Sequence, residues 1–244
     1  MSEIISFLTS LSLWGSIVNC LTVIIGSTAG LIVKSIMGKG AEGGVMSRIS
    51  DALMKGLALC VLLIGVSGAI KTQNVIIVIV SMVIGTVIGE LCDLDRRVTA
   101  LGRLIERKTN GRFGDITQGF VSASLLFCVG AMTIVGSLNS GLSGDHSMLY
   151  TKSLLDLISS FAFASTLGFG VLFSAGFVLV FQGSITLLAT WIAPLLSEAA
   201  IIEMTAVGSL LIVGLALNML GITKLKIMNY MPAIFVPMII FLFI

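Results

Sequence analysis

Few side chains in this 244-residue chain can do chemistry, because 57% of its residues are apolar and only 11% are charged. Glu203 is the most conspicuous of them. It stands in Glu203-Met204-Thr205-Ala206-Val207-Gly208, at the edge of a long apolar stretch. An ionisable group entering such a stretch is costly to desolvate, and it normally faces a cavity or a partner. Glu90 follows Gly85-Thr86-Val87-Ile88-Gly89 in a comparable position. Three carboxamides, Asn19, Gln182 and Asn218, lie among apolar residues. A serine or threonine there can bond to its own helix backbone, whereas an amide hides less easily. Together these five suit a pathway for a small ion or a small polar solute. Asp145, His146, Lys152 and Asp156 cluster in a second group, read as an outer vestibule to that pathway. On a helix, Lys152 and Asp156 stand four residues apart and pair on one face.

Catalysis is not expected. His146 has no nucleophile and no orienting partner at a recognisable spacing. The chain has no HExxH, and no paired-acid, Ser-Lys or Ser-His system in it is read as catalytic. Its four cysteines, Cys20, Cys60, Cys92 and Cys128, are dispersed without a CxxC, so neither a metal site nor a cofactor is expected. A net charge of +2 is too small to suggest a nucleic-acid partner.

The elements that must position these groups follow from where charge is missing. Leu157 to Ser197 contains no Asp, Glu, Lys, Arg or His. A soluble helix or strand needs a face that water will accept, so the solvent here is lipid. The fold class is all-α: one polytopic transmembrane bundle spanning residues 1–244. Apolar windows fall at Trp14–Val33, Leu53–Ile70, Asn74–Gly89, Gly119–Leu138, Leu157–Phe181, near Ser184–Leu196, Met204–Ile222 and Met228–Ile244. A crossing helix needs about 20 apolar residues, which gives about eight spans, with seven as the alternative. The long uncharged run must turn back, and Gln182-Gly183-Ser184 is the natural break. A broken or re-entrant helix is therefore expected near 182–197.

Ten of the fourteen lysines and arginines lie in Lys34–Lys55 and Arg96–Arg112. The positive-inside rule places loops 34–55 and 91–115 in the cytoplasm and the N-terminus outside. Leu91, Leu94, Val98, Leu101, Leu104 and Ile105 recur at helical spacing among arginines, so an amphipathic surface helix is expected at about 91–108. Ser81, Gly85 and Gly89 form a small-residue ladder, and Gly26 with Gly30 forms another. Such ladders let helix backbones approach in lipid, either within one subunit or along the seam of a homodimer. The stretches 53–89 and 205–244 share a span-turn-span pattern and enter from opposite sides, as inverted repeats do.

Gly15-Ser16-Ile17-Val18-Asn19, Ile84-Gly85-Thr86-Val87-Ile88-Gly89-Glu90, the run Gly119–Met132, the stretch Gly144–Asp156 and Glu203–Gly208 resemble the YqgA/YdfK family of prokaryotic inner-membrane proteins, a domain of unknown function. The resemblance runs from about Gly15 to the C-terminus. It implies a bacterial or archaeal cytoplasmic membrane and a loose link to biofilm behaviour. It supplies no substrate and no catalytic residues. Polar residues within the spans, the break at Gln182–Ser184 and Glu203 beside it favour a channel or transporter; a non-transporting scaffold, sensor or assembly protein is the other reading.

Overall fold

The structure is a computed structural model, and it describes residues 12–38, 45–97, 99–100 and 116–243. Every regular element among these residues is helical. In chain order they are α1 (Trp14–Gly38), α2 (Val45–Ala69), α3 (Val75–Cys92), α4 (Ile116–Cys128), α5 (Ala131–Ser143), α6 (Ser147–Leu167), α7 (Gly170–Leu187), α8 (Ala189–Ile192), α9 (Glu198–Met219), α10 (Ile227–Tyr230) and α11 (Val236–Ile240). A 3-10 turn follows α8 at Ala193–Leu195, and another joins α10 to α11 at Met231–Phe235. Of the amphipathic helix expected at about 91–108, residues 94–97 and 99–100 are helical after a turn at Asp93, and 98 and 101–108 lie outside the described residues.

Local chemistry sets the ends of these helices. Asn74 caps α3 by accepting the Ile76 N–H, and Ser197 caps α9 by accepting the Ala200 N–H at 3.1 Å. Each removes one of the donors that a helix start leaves unpaired. At the end of α6, Gly168 has φ +80 and Lys34 donates to the Thr166 carbonyl at 2.8 Å. A cation there also meets the negative end of the helix dipole.

Small residues decide which helices touch. A Cβ on Gly26 would meet the Leu157 carbonyl, and one on Gly30 would meet that of Phe161. Numbering rises along both helices, so α1 and α6 run parallel. Gly65 faces Val213 and Gly68 faces Ser209, which makes α2 and α9 antiparallel. Gly85 packs on Ala233 and Gly89 on Asn229, so the α10–α11 run climbs back along α3. Both glycine ladders are therefore filled within the chain, and neither is left as a dimer seam.

Among the described residues the helices alternate in direction between two ends of the bundle, one marked by Lys34 and the other by Glu203. Five helices among the described residues are long and apolar enough to cross a membrane: α1, α2, α3, α7 and α9. The pair α4–α5 makes a sixth, bent by 62° at Val129-Gly130. It is not a re-entrant loop. Gly119 on α4 meets Gly170 at the start of α7, while Gly141 on α5 meets Thr186 at its end, so the pair runs the length of α7. The hairpins α2–α3 and α9–α11 lie side by side, with their turns at opposite ends, consistent with inverted repeats.

One interruption falls elsewhere than expected. Helix α7 passes unbroken through Gln182-Gly183-Ser184 and ends at Leu187. Gln182, Gly183 and Thr186 are buried against neighbouring helices, and that packing overrides a locally polar, flexible tripeptide. The turn back falls at 188–197, in α8 and the 3-10 turn carrying Pro194.

Glu203 closes the turn between α2 and α3. Its carboxylate accepts from the Thr72 hydroxyl at 2.6 Å, the Gln73 N–H at 2.7 Å and the Asn74 N–H at 2.9 Å. Replacing a buried acceptor strands its donors, at roughly 1–3 kcal/mol for each group left unpaired. Glu203→Ala is expected to lower the thermal unfolding midpoint in detergent strongly, and Thr72→Val less. Gly85→Val and Gly89→Val should also lower it by overpacking α3 against the C-terminal run. Gly56, with nothing within 4 Å, should accept valine with a smaller change in that measurement.

Candidate functional site

Asp156 sits nine residues into the 21-residue helix α6, about 13 Å along it at 1.5 Å per residue. It is therefore near the middle of the bundle and is only 5% exposed. Lys152, one turn earlier and 6% exposed, donates to Asp156 Oδ2 at 2.6 Å. From α1, the Asn19 amide donates to the same oxygen at 3.0 Å. The i, i+4 spacing foresaw the pair. Its location differs from an outer vestibule, because both side chains lie inside the bundle. Burying two ions costs several kcal/mol each, and only close mutual pairing with further hydrogen bonds offsets that.

The pair is buried, yet it lines a cavity. A space of about 570 Å³ opens where α2, α6, α9 and the α4–α5 junction meet. Its polar lining is Lys152, Asp156 and Ser159 from α6, Thr133 from the junction, Ser67 and Lys71 from α2 and the turn after it, and Thr205 and Ser209 from α9; the rest of the wall, with Leu63, Ile64, Val129 and Leu155, is apolar. Three of these hydroxyls spend their protons on backbone. Thr133 donates to the Phe127 carbonyl at 3.1 Å, Thr205 to Ile201 at 2.7 Å and Ser209 to Thr205 at 2.7 Å. What each keeps is acceptor capacity.

A second cavity of about 790 Å³ lies at the Lys34 end, lined by Asp95, Thr117, Gln118, Ser122, Asn218 and Lys224 among others. Burial pushes the Asp95 carboxyl above the usual range, against the pull of Lys226. Along α4, Ser122 lines this cavity and Leu126 lines the first; along α9, Leu215 and Ile212 do the same. About one helical turn, near 5 Å, separates them. On the other side of the junction, Val129 and Gly130 also wall an apolar space of about 160 Å³ containing Met204, Met231 and Met238.

The remaining sequence candidates fall in different places. Gln182 on α7 is fully buried, and neither its amide oxygen nor its nitrogen has a hydrogen-bond partner among the described residues. One turn further, Thr186 lies 3.5 Å from the Ser16 hydroxyl of α1. Asn218 closes the turn after α9: its Oδ1 accepts from the Leu225 N–H and the Thr223 hydroxyl, and its amide donates to the Leu225 carbonyl. Glu90 is exposed on α3 and lines neither of these two cavities. Asp145 accepts from the Ser147 hydroxyl and N–H at the start of α6, and those bonds hold its carboxyl below the usual range. His146 Nδ1 lies 2.8 Å from the Ser140 hydroxyl, which itself donates to the Ser12 carbonyl. The Ser140 hydroxyl thus ties α5 to the start of α1, and the His146 imidazole holds that hydroxyl from the start of α6.

Lys71, Ser67, Ser209 and the bend at Val129-Gly130 were not singled out as pathway groups. Gly130 is the one signal that could have found the bend: it takes φ +140, a conformation L side chains rarely adopt. Among the described residues no cluster of His, Cys, Asp or Glu could hold a metal ion.

Comparison with known proteins agrees with this architecture. The chain is 31% identical over 232 residues to the uncharacterized membrane protein YdfK of Bacillus subtilis (strain 168), covering 93% of this chain and 95% of that protein. It is 28% identical over 229 residues to the uncharacterized protein YqgA of Escherichia coli (strain K12), covering 92% and 94% respectively. No solved structure matches. The family described as "Protein of unknown function (DUF554)" matches residues 14–242, and this membrane protein belongs to it.

Proposed function

We propose that this protein moves a small ion or small polar solute across a bacterial or archaeal cytoplasmic membrane, as a transporter or channel and not as an enzyme. The observation that carries this reading is the Lys152–Asp156 pair, buried at mid-bundle yet lining a cavity beside a bent helix. Irregular backbone at membrane depth is tolerated where it lines a cavity or is covered by protein, and transporters place broken helices at their binding sites. Two cavities with charged groups in their walls, separated by about one helical turn, add a route from each end.

In this reading α1, α2, α3, α4–α5, α6, α7, α9 and the α10–α11 run each cross the bilayer, eight spans in all. α6 is the least apolar of them because it carries the ion pair. Lys34, Arg48, Lys55, Arg96, Arg97, Lys224 and Lys226 belong to one end of the bundle, which the positive-inside rule makes cytoplasmic. The N-terminus and Asp145 then lie outside. A homodimer, if formed, must use a surface other than the glycine ladders. The scaffold or sensor reading draws on Asn19, whose bond to Asp156 also ties α1 to α6.

Orientation is testable by thiol labelling in a Cys60→Ser background. A membrane-impermeant maleimide should label Asp145→Cys in intact cells and Cys92 only after permeabilisation; the reverse pattern overturns the topology. For function, purified protein in liposomes would be screened for flux of cations, anions, amino acids and other small polar solutes. Asp156→Asn and Lys152→Met should each lower the observed flux by about tenfold or more, since each strands a buried charge. Glu90→Gln should leave it unchanged. Absence of flux for every solute overturns transport and favours the scaffold reading, whereas flux indifferent to Asp156 and Lys152 overturns the assignment of the pathway to this pair.

A further inference from the structure

Resting on the transport reading of the same cavity, we infer that its solute is a small zwitterion carrying a carboxylate and an ammonium group, as an α-amino acid does. The charge inventory points there. Among the described residues, the charged groups lining the cavity are Lys71, Lys152 and Asp156. Two ammonium groups and one carboxylate disfavour a simple cation, which would have to displace Lys152 and leave it buried without a counter-charge. A simple anion drawn to Lys152 would likewise take the partner from Asp156. Stranding one member of a buried ion pair is strongly unfavourable. A zwitterion avoids both losses, because each of its ends replaces the partner that it displaces.

The neutral groups agree with that division. Thr133, Thr205 and Ser209 have donated their protons to backbone carbonyls, so they offer acceptors to an ammonium group. Both donors on Asp156 share Oδ2, so Oδ1 carries neither of these bonds. Lys71, at the exposed end of α2, adds a second cation at the mouth for a carboxylate. The Glu203 carboxylate lies beyond this lining, turned into the 72–74 turn.

The test is equilibrium binding to the full chain in lipid nanodiscs. The probes are glycine, L-alanine, L-serine and γ-aminobutyrate on one side, and acetate, phosphate, methylammonium and sodium on the other. At least one zwitterion should bind about tenfold or more tightly than every singly charged probe. Asp156→Asn should weaken that zwitterion about tenfold or more. Ser159→Leu, which narrows the cavity and keeps the ion pair, should weaken it as well, with an unchanged elution profile showing that the variant is folded. Acetate, phosphate or a cation binding as tightly as the best zwitterion overturns the inference, as does no zwitterion binding; flux of an inorganic ion beside either result leaves the transport reading standing. Zwitterion binding without flux supports the inference and overturns transport.

Discussion

One carboxylate sets terms for the rest of the molecule. Asp156 lies near the middle of a helix in an apolar bundle, and an ion there must be compensated within hydrogen-bonding distance. Lys152 supplies the charge from one turn away, and Asn19 supplies a donor from a second helix. Asn19 can reach because α1 and α6 run parallel at close range, and they run close because Gly26 and Gly30 offer no side chain where Leu157 and Phe161 present backbone. The glycine seam and the ion pair are thus one construction. A larger residue at Gly26 would push away the helix that completes the pair.

The same economy of small residues shapes the opposite wall of the cavity. Helix α9 touches α2 through Gly65 and Gly68, and beside that contact Thr205 and Ser209 present hydroxyls to the space. The α4–α5 bend closes the third side. Straight helices packed this tightly would leave no room, whereas a 62° change of direction at Val129-Gly130 does. Gly130 also walls the apolar space behind it. The bend therefore separates the cavity that holds the ion pair from an apolar one.

Much of the architecture was legible before any coordinates. The charge-free run, the glycine ladders and the i, i+4 spacing of Lys152 and Asp156 are local or periodic signals, and periodicity survives in sequence. What could not be read was depth. Gly144–Asp156 looks like an outer loop because it holds several polar residues together. Yet α6 begins at Ser147, and the helix carries Asp156 inward before its apolar half starts. The bend at Val129-Gly130 was hidden for a related reason: apolar residues flank it on both sides, so hydropathy shows a single uninterrupted window. Gln182-Gly183-Ser184 erred in the opposite direction, since tertiary packing covers a tripeptide that local propensity would break.

Glu203 and Asn218 show how a polar group in a membrane helix can serve the fold instead of a solute. Both stand on α9, near opposite ends, and each turns its oxygens onto backbone N–H groups of a hairpin turn. A turn at the membrane edge leaves N–H groups that the apolar phase cannot satisfy, so an acceptor on the neighbouring helix is the natural remedy. Asp156 differs in kind. Neither of its bonds goes to a turn; both come from side chains, and side chains can exchange one partner for another without unwinding backbone. A group held by Lys152 and Asn19 in a cavity wall is therefore the acid in this bundle best suited to accept a solute, and the arrangement around Glu203 is best suited to stay as it is.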